Sequence, residues 1–354
     1  MISRQTPDQT AETSEQPAVR GLEAEELESK LKTTYNWGYD KSRRDLMDLY
    51  GKAKRTQWNS DDTLPWHLNV DLEKQDYPEY LFPLYGSDLY RKLSEKERLA
   101  INVEMDAWLS SQFLHGEQGA LLAASQLVVT VPDYEAKLYA STQVMDEARH
   151  VEVYDRYLHE KIGFSYPVSP HLKSLLDLIL MDGRWDMKLL GMQIMVEGLA
   201  LAAFGMIRDV VTEPLIKKLT TYVMQDEARH VAFGILSLKS YYDDMKESER
   251  LEREDFLYEG AVLMRDRFLF EQVWEKMGLP VEECKKITFE SEGQRLFRQM
   301  LFTRIVPAVK RIGLLSPRQR QRFEKLGILQ FESCPDPSDG QADAMVVPYA
   351  HNQK

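Results

Sequence analysis

Cysteine is nearly absent: the 354 residues contain two, Cys284 and Cys334. They are too few for a disulfide framework and lack the spacing of a thiolate metal site, so two reduced thiols in a cytosolic protein are expected. Basic excess is missing too. Lys and Arg number 45 against 57 Asp and Glu, a formal net charge of −12, which speaks against a nucleic-acid partner because that footprint is basic. The longest apolar stretch, around 199–207, falls well short of the ~20 residues that cross a bilayer, so no membrane role is expected. The opening MISRQTPDQTAETSEQPAVR has no apolar centre of the kind a secretory signal carries. Period-two strand patterning is not found either. Those absences leave a cytoplasmic, all-α protein as the expectation, and the 43% hydrophobic content makes it globular.

What is present is helix after helix. Residues 1–28 are polar and expected to be disordered, and the tail 333–354 is expected to be flexible. Between them, 29–332 is read as one domain. GYDKSRRDLMDLYGKAKR has helical spacing, and TQWNSDDTLPWHLNVDLEKQDYPEYLFPLYGS reads as a long aromatic arm laid across the body. SEKE is a capping box, Ser94 to Glu97, opening a helix that stops near 130 before Pro132. Asp133 is expected to cap a helix running to about 161 and ended by Gly163. Further helices are expected over 170–182, from there to about 211, and from Thr212 and Pro214 to about 244. Two or three more should fill 248–327. Many long helices with short connections predict a bundle, with its centre over about 95–245.

DEARH occurs at 146–150 and again at 226–230. Shifting the chain by 80 residues also lays Glu117 on Glu197, each an isolated Glu in an apolar helix 30 residues before a Glu-x-x-His. That separation suits a helical hairpin whose second arm returns beside the first. Residues three apart share a helix face, so Glu147 points with His150 and Glu227 with His230. Glu197 lies in LLGMQIMVEGLALAAFGM, apolar nearly all round, where an unpaired carboxylate is expensive. A buried carboxylate–Arg or carboxylate–His pair would explain one such Glu. Two, each followed at the same distance by Asp-Glu-x-x-His, point to two metals held by Glu117, Glu147, His150, Glu197, Glu227 and His230. Oxygen and imidazole donors suit iron, with manganese an option at either position. Asp146 and Asp226 are expected to accept a hydrogen bond from the far nitrogen of a ligand His. Arg149 and Arg229 are expected in structural ion pairs. His115, two residues from Glu117, faces elsewhere on its helix, and His67, His159, His171 and His351 are isolated.

This constellation resembles the ferritin-like diiron carboxylate superfamily, over about 95–245, and TQWNSDDTLPW resembles the N-terminal arm of its oxygenase-type members. The resemblance implies a ferritin-like four-helix bundle with added N- and C-terminal helices, two Fe ions, and O2 as co-substrate. It implies a monooxygenase acting by hydroxylation, N-oxidation or desaturation on a small organic substrate, fed by an external ferredoxin or reductase. A homodimer is compatible with it. Positions separate the branches. Arylamine N-oxygenases carry a third His four residues before the last ligand Glu, where this chain has Val223. Multicomponent monooxygenases and desaturases place a Thr where this chain has Ala200 and Leu201. The small subunit of ribonucleotide reductase has its radical tyrosine four residues after the first ligand His, as Tyr154 is here, but usually an Asp where Glu117 stands. A radical protein using Tyr154 is therefore the alternative, and iron storage the third reading.

A substrate pocket is expected beside the metals, between the helices over 95–130 and 184–211. Its candidates one turn from the ligands are Phe113, Ala120, Leu121 and Ala124 on the first, and Ile194, Ala200, Leu201 and Phe204 on the second. Side chains this small and apolar favour an apolar or aromatic substrate.

Overall fold

The computed structural model describes residues 25–39, 42–74 and 77–339. Of the segments expected to be loose, 1–24 and 340–354 lie outside the described residues. Residues 25–28 are exposed and form no helix. No strand occurs among the described residues.

Seven helices build the body. They are α1 (Arg44–Arg55), α2 (Glu95–Thr130), α3 (Tyr134–Tyr157), α4 (Pro170–Met181), α5 (Trp185–Val210), α6 (Pro214–Leu238) and α7 (Glu247–Asp266). α2 packs chiefly on α3, and α5 on α6, so each hairpin keeps its sequence neighbours together. α1 lies against α3 and α6. A continuous buried cluster runs from Leu46 to Phe331.

The start of α2 is the expected capping box. Ser94 N donates to Glu97 Oε2 at 2.8 Å while Glu97 N donates to Ser94 Oγ at 3.3 Å, satisfying two donors the helix would otherwise orphan. Val131 then turns extended before Pro132, as a residue preceding proline must. Three boundaries differ from the sequence reading. Asp133 precedes α3 but makes no capping bond, because its carboxylate is taken by Arg43 Nη1 at 2.7 Å. α6 is capped by Glu213, which accepts from Leu215 N and Ile216 N, and it stops at Leu238, where Ser240 takes a positive φ. Among the described residues beyond 246 there are six α-helices, not two or three: α7 and, after it, Glu271–Lys276, Val281–Glu290, Glu292–Met300, Ile305–Arg311 and Pro317–Lys325.

α5 is the central element. At 26 residues it is long and apolar enough to cross a membrane, more than the run at 199–207 suggested, yet 94% of its apolar window is buried inside the bundle. An apolar helix surrounded by protein is a core helix. Its middle, Leu190–Val196, is π-helical, immediately before Glu197. The wider turn rotates everything downstream, and such segments gather at functional sites. Tight packing fixes the result: a Cβ on Gly234 of α6 would sit 2.7 Å from Gln193 Cβ on α5.

Candidate metal centre

Glu117 on α2, Glu147 and His150 on α3, Glu197 on α5, and Glu227 and His230 on α6 all point into the bundle. Each is buried, none more than 5% exposed. Ligand atoms of Glu117, Glu147, His150 and Glu227 lie within 4.8 Å of one another, and so do those of Glu147, Glu197 and His230. Glu147 belongs to both groups, and Glu227 also approaches His230 Nδ1 at 3.6 Å. The imidazole centroids are 5.9 Å apart.

The histidines show how the cluster is poised. His150 Nε2 donates to Asp226 Oδ2 at 3.1 Å, and His230 Nε2 donates to Asp146 Oδ2 at 3.3 Å. Each DEARH copy therefore braces the histidine of the other copy, a crossing that spacing alone does not reveal. An ionised carboxylate only accepts, so Nε2 carries a proton, which leaves Nδ1 to a metal ion or, in the metal-free chain, to a second proton. His150 Nδ1 lies 3.3 Å from oxygens of Glu117 and of Glu147, and 3.2 Å from Glu227. His230 Nδ1 lies 3.1 Å from Glu147. Nδ1 facing carboxylates calls for a positive charge between them, a metal ion when one is bound and a proton when none is. Glu147 Oε2, Glu197 Oε2, both Glu227 oxygens and His230 Nδ1 have no hydrogen-bond partner. Orphaned buried acceptors of this kind fit a pair of metal ions.

Around the six lies a cross-braced shell. Arg149 reaches Asp146 at 2.5 Å and Asp226 at 3.0 Å, and Arg229 reaches Asp226 and, at 3.3 Å, Asp146. These are the expected structural ion pairs. The arm adds Gln57, donating to Asp146 at 2.7 Å, and Trp58, whose Nε1 donates to Asp226 at 2.8 Å. Gln143 donates to Glu147 at 3.0 Å and to Glu197 at 2.8 Å. The sequence reading missed Gln143 and Gln193, although each stands one turn before a ligand Glu. Val223, on the corresponding turn before Glu227, is fully buried. His115 bonds the Tyr166 carbonyl at 2.9 Å and takes no part.

Burial pushes Glu117 up to about 8, helped by the neighbouring charge of Glu227. Burial, then Glu227, also holds Glu197 well above the usual carboxylate range. Burial acts the same way on Glu147, but the two imidazoles outweigh it and bring that carboxyl down. Burial lowers His150 and His230, yet Glu117 for the first and Glu147 for the second leave both well above the ordinary histidine value. Asp146 and Asp226 end low because their histidine bonds overcome burial. Glu117 is therefore raised in the fold over its ordinary 4.5. It stabilises the metal-free fold fully below that value, and the contribution is lost as pH rises through about 8. The raised histidines have the same sign. Tm of the metal-free protein should thus fall from about pH 6 to about pH 9, and added Fe(II) should flatten the slope. A metal-free Tm that stays level or climbs over that range contradicts this.

Of the pocket candidates, Phe113, Ala120 and Ala200 line a cavity that also contains Glu117, Glu197 and Glu227. Leu121, Ala124, Ile194, Leu201 and Phe204 are not on its wall. Phe204 packs instead on Phe113 and Tyr154, with ring centroids 4.7 and 6.1 Å apart. A larger apolar groove, walled by Leu81, Met105, Leu109, Met206 and Phe297, contains none of the six.

The model of the p-aminobenzoate N-oxygenase AurF family matches residues 40–313, which span the arm, the bundle and most of the C-terminal helices. The chain belongs to this family. Membership in the AurF family makes it a ferritin-like oxygenase, an oxidoreductase that uses O2 and a two-metal cofactor. It holds that place with Val223 where the resemblance puts a third histidine in arylamine N-oxygenases. No curated protein matches the chain. Among solved structures, an R2-like ligand-binding oxidase variant with an anaerobically reconstituted Mn/Fe cofactor is 17% identical, with TM-score 0.48, over 77% of this chain and 95% of its own. An R2-like ligand-binding oxidase with an aerobically reconstituted metal cofactor after photoconversion is 16% identical, with TM-score 0.46, over 75% of this chain and 99% of its own.

Proposed function

We propose that Glu117, Glu147, His150, Glu197, Glu227 and His230 hold two iron ions, and that the chain oxygenates a small aromatic substrate, an arylamine being the first class to try. The observation carrying this is the pair of imidazoles whose Nε2 protons are committed to Asp226 and Asp146 while Nδ1 faces buried, partnerless carboxylate oxygens. Four carboxylates largely neutralise two divalent ions, and a mixed oxygen and nitrogen donor set suits iron. Two irons held there would supply the redox chemistry that O2 activation needs, re-reduced by the external donor.

The chain's own residues do the rest. Asp226 and Asp146 fix the tautomer of each histidine and raise its basicity. Gln143 ties Glu147 to Glu197. Phe113, Leu172, Val196 and Leu199 wall the cavity and keep bulk water from the centre. An external ferredoxin or reductase supplies electrons, and the protein works in the cytoplasm, with a homodimer compatible with both. A second reading is favoured by Tyr154, which is 1% exposed and packs on Phe113 at 5.6 Å beside the Glu117 end of the site. Burial, then the charge of Glu117, keeps its phenol protonated.

One experiment separates them. Anaerobic Fe(II) loading should give about two irons per chain, and O2 with a reductant should then convert 4-aminobenzoate. A stable tyrosyl radical signal after O2, abolished in Tyr154→Phe, would replace oxygenation by the radical reading. Iron uptake far beyond that stoichiometry would indicate storage.

A further inference from the structure

Arg267 follows the last residue of α7 and is only 6% exposed. It is one of the walls of the cavity that contains Glu117, Glu197 and Glu227. It also lines a second cavity, with Ser169, His171 and Gln272, so it stands as the partition between them. Among the described residues its guanidinium has no ion pair and no hydrogen bond. Its Nε is buried without a partner, and the Phe268 ring lies 4.8 Å from Cζ. The adjacent acid is not available, because Asp266 is held by Arg265 at 2.6 and 2.8 Å.

A buried cation without a counter-charge is costly, and folds retain one where it serves something else. Burial alone acts on this side chain, lowering it to about 10, so it stays charged at neutral pH. The C-terminal carbonyls of α7 offer only partial negative charge. Guanidinium presents paired donors whose geometry matches a planar carboxylate. The same cavity has apolar walls in Phe113, Ala120, Leu172 and Leu199, which would take a hydrocarbon or ring. The space left for water centres is about 20 Å³, enough for one or two waters. A ring needs more room than this, and moving the Arg267 side chain out of the wall the two cavities share would supply it.

We propose that Arg267 is the specificity-determining residue of the site: its guanidinium takes the carboxylate of an organic substrate arriving from the Ser169 side and holds the apolar remainder toward Glu117, Glu197 and Glu227. This rests on the oxygenase reading of that centre.

The test is binding, measured by calorimetry on the full chain with and without Fe(II), using 4-aminobenzoate and the neutral 4-aminobenzamide as probes. Wild type should prefer the acid by about tenfold or more. Arg267→Met should abolish that preference while leaving the amide within about twofold of wild type, and Arg267→Lys should restore part of it. Because an unpaired buried charge is removed, Arg267→Met should melt no lower than wild type. Equal affinity of wild type for acid and amide, or no binding of either, overturns the proposal. So does an Arg267→Met variant that keeps the acid preference, or one whose Tm drops by more than about 5 °C, the mark of a structural arginine. Iron content is read separately. A chain that binds about two irons but shows no acid preference sinks the role of Arg267 and leaves the metal centre standing. A chain that binds no iron sinks the centre, and the acid preference of the metal-free protein still decides the role of Arg267.

Discussion

Replacing Glu147 by Ala should remove nearly all bound iron and all O2-dependent turnover. Glu147 belongs to both groups of ligand atoms, and both histidines turn Nδ1 toward it. Loss of a shared carboxylate weakens both metal positions together, whereas His230→Ala deprives chiefly the group formed with Glu147 and Glu197. We expect iron to fall from about two per chain to under about 0.3 in the first variant and to about one in the second. Turnover should drop by at least about 10³-fold in each, since the metals carry the redox chemistry. Metal analysis after anaerobic loading reads the result. Wild-type iron content in both variants would mean that the metals sit elsewhere. Stability should fall with activity: the two imidazoles hold the Glu147 carboxyl low, so its loss takes a counter-charge from both buried histidines and weakens the metal-free fold.

The second large effect concerns Asp226. Its two oxygens receive His150, Trp58, Arg149 and Arg229 at once. Asp226→Ala strands two buried guanidinium groups with only Asp146 between them, and breaking a buried ionic network costs about 3–5 kcal/mol. Urea unfolding of the metal-free variant should show a loss of that size, with Asp226→Asn intermediate because an amide oxygen still accepts. A loss below about 1 kcal/mol would show that the network is not what holds the arm and the two hairpins together. Iron affinity should fall by about 10–100-fold as well, since His150 loses the group that fixes its tautomer.

The repeat made most of this centre visible in the chain itself. A Glu in an apolar helix is ambiguous alone, but Glu117 and Glu197 each precede an identical Asp-Glu-x-x-His by 30 residues, and helical periodicity then fixes which side chains share a face. The capping box at Ser94 and Glu97 was equally legible because it is a contact between residues three apart. Local chemistry misled where a distant partner competed. Asp133 looks like a cap until Arg43, 90 residues away, claims its carboxylate. The helices beyond residue 246 outnumber the expectation because short helices separated by one to five residues leave little periodic signal.

What the sequence by itself determined is the helical class, the two hairpins, and the identity of six side chains able to meet in a dry interior, all consequences of spacing along a 3.6-residue turn. The folded chain alone decided that His150 leans on Asp226 and His230 on Asp146, that α5 widens into a π-helix before Glu197, and that Arg267 borders the same cavity. Each of those depends on how separate helices cross, and a crossing is set by side-chain packing between them, which no single segment encodes.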